Sequence, residues 1–88
     1  MTWSVALTGL ARKALGRLEA TDRRLVIAAL KEMEREPRSG DVLKLQGQLV
    51  NFRRRVGNWR LFFDIEPKQR LVVVTAIERR TTTTYRKR

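Results

Sequence analysis

At 88 residues, with 42% hydrophobic side chains, the chain suffices for one small domain with a modest core. It has no cysteine, which excludes disulfides and thiolate metal sites, and no histidine, which removes the commonest metal ligand and the commonest general base. The net charge of +11, from 20 Lys+Arg against 9 Asp+Glu, favours a nucleic acid or an acidic protein as partner.

The charge is unevenly spread. Residues 1–44 carry nine basic and six acidic side chains, whereas residues 45–88 carry eleven basic and three acidic. No apolar run approaches the roughly 18–20 residues of a membrane span. The opening MTWSVALTGLARK lacks the charged-then-apolar order of a signal peptide. A single cytoplasmic domain over residues 1–88, with no membrane partner, is expected.

Residues 2–7 alternate: Trp3, Val5 and Leu7 share one side, which predicts a short strand. Thr8 can cap a helix beginning near Gly9, with Leu10, Ala11, Ala14, Leu15 and Leu18 as its apolar stripe. Thr21 or Asp22 should cap a second helix, with Leu25, Val26, Ala29, Leu30 and Met33 facing inward. Pro37 disfavours helix at Glu36, so this helix should stop near Arg35. The short connection predicts an antiparallel helical hairpin. Residues 38–41 form a turn. Residues 42–50 read as a linker that pins leucines under the sheet edge.

The stretch NFRRRVGNWRLFFD, residues 51–64, places two alternating runs on either side of Gly57-Asn58, a dipeptide suited to a two-residue hairpin turn. That turn sets Val56 opposite Trp59, Arg55 opposite Arg60, Arg54 opposite Leu61 and Arg53 opposite Phe62. Phe52, Val56, Trp59, Leu61 and Phe63 then share one face, while Arg53, Arg55, Arg60 and Phe62 share the other. Like charges directly opposite on a sheet are destabilising. A polyanion in the site is the compensation that would make the arrangement sensible; a solvated basic face is the plainer reading. By the same parity Arg54 points to the apolar side, where it would snorkel at the sheet edge or contact a protein or RNA partner.

Residues 67–69 make a further turn, and RLVVVTAIE, residues 70–78, is the strongest strand. Pairing Ile65 with Leu71 sets Phe63 opposite Val73, Leu61 opposite Thr75 and Trp59 opposite Ile77. The fold class is therefore α+β: a strand, two helices, then three antiparallel strands. These form a roughly four-stranded antiparallel sheet with both helices on one face. The tail, residues 79–88, holds four threonines, five basic side chains and Tyr85, the one tyrosine. It reads either as a basic tail or as an extended segment that brings Tyr85 to the arginine face.

The opening strand, the helical hairpin, the connector PRSGDVLKLQG, the hairpin FRRRVGNWRLFFD and the closing IERRTTTTYR together resemble a RelE/ParE-superfamily toxin, on the RelE side. The resemblance covers nearly the whole chain. It implies an endoribonuclease, without metal or other cofactor, that cuts messenger RNA in the ribosomal A site. It also implies a cognate antitoxin that blocks the site, with operator DNA reached only through that antitoxin. The family's basic positions fall on Arg53, Arg55 and Arg60, its last-strand arginine on Arg79 and its terminal tyrosine on Tyr85. Parity from Ala76 instead places Arg80 on the open face, and motif spacing is followed here. Several family members have lysine where this chain has Arg53 and Arg55, so a lysine base is not available at these positions.

RNA supplies its own nucleophile, the 2′-hydroxyl. Arg55 and Arg60 are candidates for the nonbridging oxygens and Arg79 for the leaving oxygen. Tyr85 is the candidate base, or it stacks on a base. Arg53, Phe62, Arg80 and Arg86 are candidate RNA contacts, Phe62 by stacking. A tyrosine near its ordinary value of about 10 is a poor base at neutral pH, and nearby guanidiniums would favour its phenolate. Two alternatives are a ParE-like toxin that inhibits DNA gyrase without catalysis, and a simple basic RNA-binding module.

Overall fold

The computed structural model describes residues 2–46 and 52–80. β3 (Phe52–Val56) returns as β4 (Trp59–Glu66) through Gly57 and Asn58. Gly57 takes a positive φ of 58°, which a glycine in the first turn position allows at no steric cost. The register is the one alternation requires: Val56 with Trp59, Arg55 with Arg60, Arg54 with Leu61 and Arg53 with Phe62.

After one 3₁₀ turn at Pro67–Gln69, Arg70 adopts a left-handed conformation and the chain returns as β5 (Leu71–Arg79). Here the expected pairing is wrong. Ile65 lies opposite Val72, Phe63 opposite Val74, Leu61 opposite Ile77 and Trp59 opposite Arg79, with a register shift between Phe62 and Phe63. The shift leaves Thr75 as an extra, unpaired residue, a β-bulge. Val72 and Val74 point inward before it, and Ile77 points inward after it, so the bulge changes which parity faces the core. Thr75 Oγ1 donates to the Phe62 carbonyl (3.3 Å), and the Thr75 carbonyl accepts from Thr8 Oγ1 (3.1 Å).

Thr8 has a second role, as sequence predicts. Its hydroxyl accepts from the Ala11 N–H and caps α1 (Gly9–Arg17). The second helix, α2 (Ala20–Met33), starts one residue before Thr21, with Glu19 at the N-cap and no side-chain cap bond. Asp22 instead sits in the first turn, where its charge favours the helix N-terminus.

Two further expectations fail. Residues 41–44 are a strand, β2 (Asp41–Lys44), paired antiparallel with β3, and not part of a linker; its Leu43 is 51% exposed, so it pins nothing beneath the sheet. And β1 (Ser4–Leu7) runs parallel to β5, Ser4 beside Leu71 through Leu7 beside Val74. The described sheet thus has five strands, in the order β1-β5-β4-β3-β2, and is mixed, not purely antiparallel.

The α+β class stands, with one core between the helices and one face of the sheet. Ala11, Leu18, Val26, Ala29, Leu30 and Met33 from the helical half meet Phe52, Leu61, Phe63, Val72, Val74 and Ile77 from the strands. Leu10, placed in the apolar stripe by sequence, is 77% exposed and outside this core. The Phe52 and Phe63 rings stack at 5.4 Å. Each large side chain buried here contributes roughly 1.5–3 kcal/mol. Arg54 is also on this side, buried under α2 and not snorkelling at an edge. Among the described residues no helix is long and apolar enough to cross a membrane.

Candidate functional site

The face of the sheet away from the helices is organised by rungs. Arg53 of β3 lies beside Phe62 of β4 and Ala76 of β5. One rung along, Arg55 lies beside Arg60 and then Glu78, while Asp41 of β2 flanks Arg55 on the other side. Because the bulge turns Ala76 and Glu78 outward, alternation sends Arg80 to the same face. Arg80 is fastened to the hairpin tip: its N–H donates to the Asn58 carbonyl (2.8 Å) and its Nη1 to the Gly57 carbonyl (3.0 Å).

Four guanidiniums share this field. Burial holds Arg53 below the ordinary arginine range, and the neighbouring charges of Arg55, Arg60 and Arg80 add to that, while Asp41 opposes it. Arginine stays protonated at any physiological pH, so the shift records a cost of holding the charge and not its loss. Arg53 is only 9% exposed. Among the described residues, Arg53 Nη1, Arg60 Nε and Arg80 Nε are buried with no hydrogen-bond partner. A buried donor without an acceptor costs about 1–3 kcal/mol. Acceptor oxygens from an anion would satisfy these donors and offset the mutual repulsion.

The sequence-derived candidates divide cleanly. Arg53, Arg55, Arg60, Phe62 and Arg80 come together. Arg79 does not join them: it pairs with Trp59 on the helix side, its guanidinium 5.7 Å from the indole centre, beside a cavity of about 480 Å³ shared with Arg17, Glu19 and Asp22. Tyr85 and Arg86 lie outside the described residues. Sequence reading missed Asp41 and Glu78, the two carboxylates that border the cluster. Glu78 was within reach as a residue of the open face, by parity from Ala76, although only the shifted register sets it beside Arg60; Asp41 required β2, which carries too short an apolar signal.

No sequence-family model matches the chain, and no curated protein sequence matches it. Solved structures do. The chain is similar to the archaeal RelE–RelB complex from Pyrococcus horikoshii OT3, with 25% identity, a TM-score of 0.83, 94% of this chain covered and 100% of that one. It is similar to the toxin–antitoxin complex RelBE2 from Mycobacterium tuberculosis, with 27% identity, a TM-score of 0.76 and coverage of 91% and 100%. A YoeB/ParE toxin from Agrobacterium tumefaciens shares the fold alone, at 14% identity and a TM-score of 0.73, covering 89% of this chain and 99% of that one.

Proposed function

By fold this chain belongs to the RelE/ParE toxin superfamily, and from that premise we propose that it is the toxin of a type II toxin–antitoxin pair and an endoribonuclease acting on messenger RNA. The observation that carries this reading is the convergence of Arg53, Arg55, Arg60 and Arg80, with unsatisfied donors on three of them, on the sheet face that neither helix covers.

In the proposed reaction the 2′-oxygen attacks the adjacent phosphorus as the bond to the 5′-oxygen breaks, giving a cyclic phosphate and a 5′-hydroxyl. Charge accumulates on the nonbridging oxygens, and fixed cations there lower the barrier because they need no reorganisation. Arg55 and Arg60, directly opposite each other across β3 and β4, take those oxygens. Arg80, immobilised at the hairpin tip, takes the leaving-oxygen position that the family resemblance assigns to Arg79. Arg53 holds the flanking phosphate, and Phe62, directly opposite it, stacks a base. Tyr85 remains the proposed proton acceptor for the 2′-hydroxyl, and Arg86 a proposed backbone contact. The mechanism asks for no metal or cofactor. The partner is an antitoxin with an acidic or amphipathic segment that covers this face, and the substrate is messenger RNA in the ribosome.

The test is Arg60→Ala in single-turnover cleavage on programmed ribosomes. Loss of one preorganised cation should slow cleavage by roughly 10²–10³ while the protein remains folded. Cleavage at the wild-type rate would remove Arg60 from the site. If induction of the chain in cells altered DNA supercoiling and created no codon-phased messenger ends, the gyrase-directed reading would replace this one.

A further inference from the structure

Arg54 is the one member of the Arg53-Arg54-Arg55 run that the proposed reaction leaves unused. It is 7% exposed and lies on the opposite side of β3 from its two neighbours. Its Nη1 donates to the Ala29 carbonyl of α2 (3.4 Å) and to Ser39 Oγ (3.3 Å), and its Nη2 to Glu32 Oε1 (2.5 Å). Gly40 completes the cradle: it has a φ of +80°, and a Cβ there would fall 2.7 Å from the Arg54 Cζ and Nη2. The guanidinium therefore fills a space bounded by α2, the preceding turn and a glycine whose positive φ and close approach make any side chain there strained.

We infer that Arg54 is a positioning residue, clamped by Glu32 and cradled by Gly40 so that Arg53 and Arg55 are presented together on the open face. Three consecutive arginines have no alternation of polarity to say which of them faces the core. Phe52 and Val56 favour the observed register from the ends of β3, and the clamp settles its centre. A slip by one residue would put Arg53 and Arg55 under α2 against the one carboxylate of the clamp. It would leave Arg54 alone outside. Two buried guanidiniums facing one carboxylate leave an uncompensated buried charge, which is strongly unfavourable. Only the Arg54 end of the pair is buried, the Glu32 side chain being 53% exposed, and selecting a register is the best-attested use of a buried polar group. The inference takes its functional meaning from the RNA-cleaving reading, but its mechanics can be tested apart from it.

The experiment uses the full chain and a fluorescent single-stranded RNA bearing 2′-O-methyl groups, which cannot be cut by 2′-oxygen attack. Binding is measured across a salt series at a temperature where every variant is folded. Glu32→Gln, Arg54→Met and Gly40→Ala, from three separate elements, should each weaken binding about tenfold and make the salt slope shallower by up to about 0.7, the flanking phosphate's worth. Arg54→Lys should retain more affinity than Arg54→Met.

Glu32→Gln gives the sharpest sign, because it removes a negative charge. Long-range electrostatics alone, or direct contact of Arg54 with RNA, demands unchanged or tighter binding; positioning demands weaker binding. Cross-strand amide contacts of β3 in NMR supply a readout that needs no ligand. They should change from one set in the wild type to a second or broadened set in the variants. Unchanged slopes with a single wild-type register, the variants merely melting earlier, would overturn the inference. Wild-type protein that binds the RNA yet cuts no messenger would sink the catalytic reading alone.

Discussion

At the scale of single residues, Arg53 shows how the site is financed. Its guanidinium is largely buried, repelled by three others and short of an acceptor. Arg53→Gln should therefore raise stability by about 1 kcal/mol, read from the urea midpoint, while lowering RNA affinity. The gain should shrink as salt screens the repulsion. Glu32 behaves in the opposite sense. The hydrogen bond from Arg54, and then its charge, hold this carboxyl below its usual 4.5, with Arg35 adding slightly. A depressed carboxyl stabilises the fold above its unfolded value and loses that contribution as pH falls through its folded value. The melting-temperature difference between wild type and Glu32→Gln should be flat from pH 7 to about pH 5. It should close as the pH drops below 4.5.

At the scale of elements, legibility depended on how much polarity alternated. β3 and β4 were readable to the residue because arginines and aromatics interleave around a turn that only a few dipeptides make. β5 was not, because LVVVTAI is apolar on both faces and no parity stands out. The bulge at Thr75 is thus invisible to alternation, which misread the first half of β5, while parity counted from Ala76, beyond the bulge, already placed Arg80 and not Arg79 on the open face. β2 escaped because four residues, DVLK, carry little pattern, and the parallel placement of β1 depends on a crossover that no local signal encodes. Thr8 ties these elements together, since one hydroxyl serves both the α1 cap and the bulge carbonyl. Thr8→Ala should cost about 2 kcal/mol, a lost cap plus an orphaned carbonyl, with the urea m-value unchanged.

At the scale of the whole molecule, charge sets the terms of association. A net charge of +11 on 88 residues draws polyanions of any sequence toward the protein. The cluster narrows that attraction to a place. If Arg55, Arg60 and Arg80 close on the scissile phosphate and Arg53 on the one beside it, log affinity should fall with log salt at a slope of about −1.4. Arg53→Ala should make that slope shallower by about 0.7. A slope that ignores Arg53 would mean that the diffuse field, and not the rungs of the sheet, holds the strand.

A site whose cations are all guanidinium has a physiological consequence. No alkalinity a living cell reaches can discharge these groups, so the grip is permanently armed. On the proposed reading, restraint comes from outside the chemistry, from the acidic or amphipathic partner segment that would lie across the face.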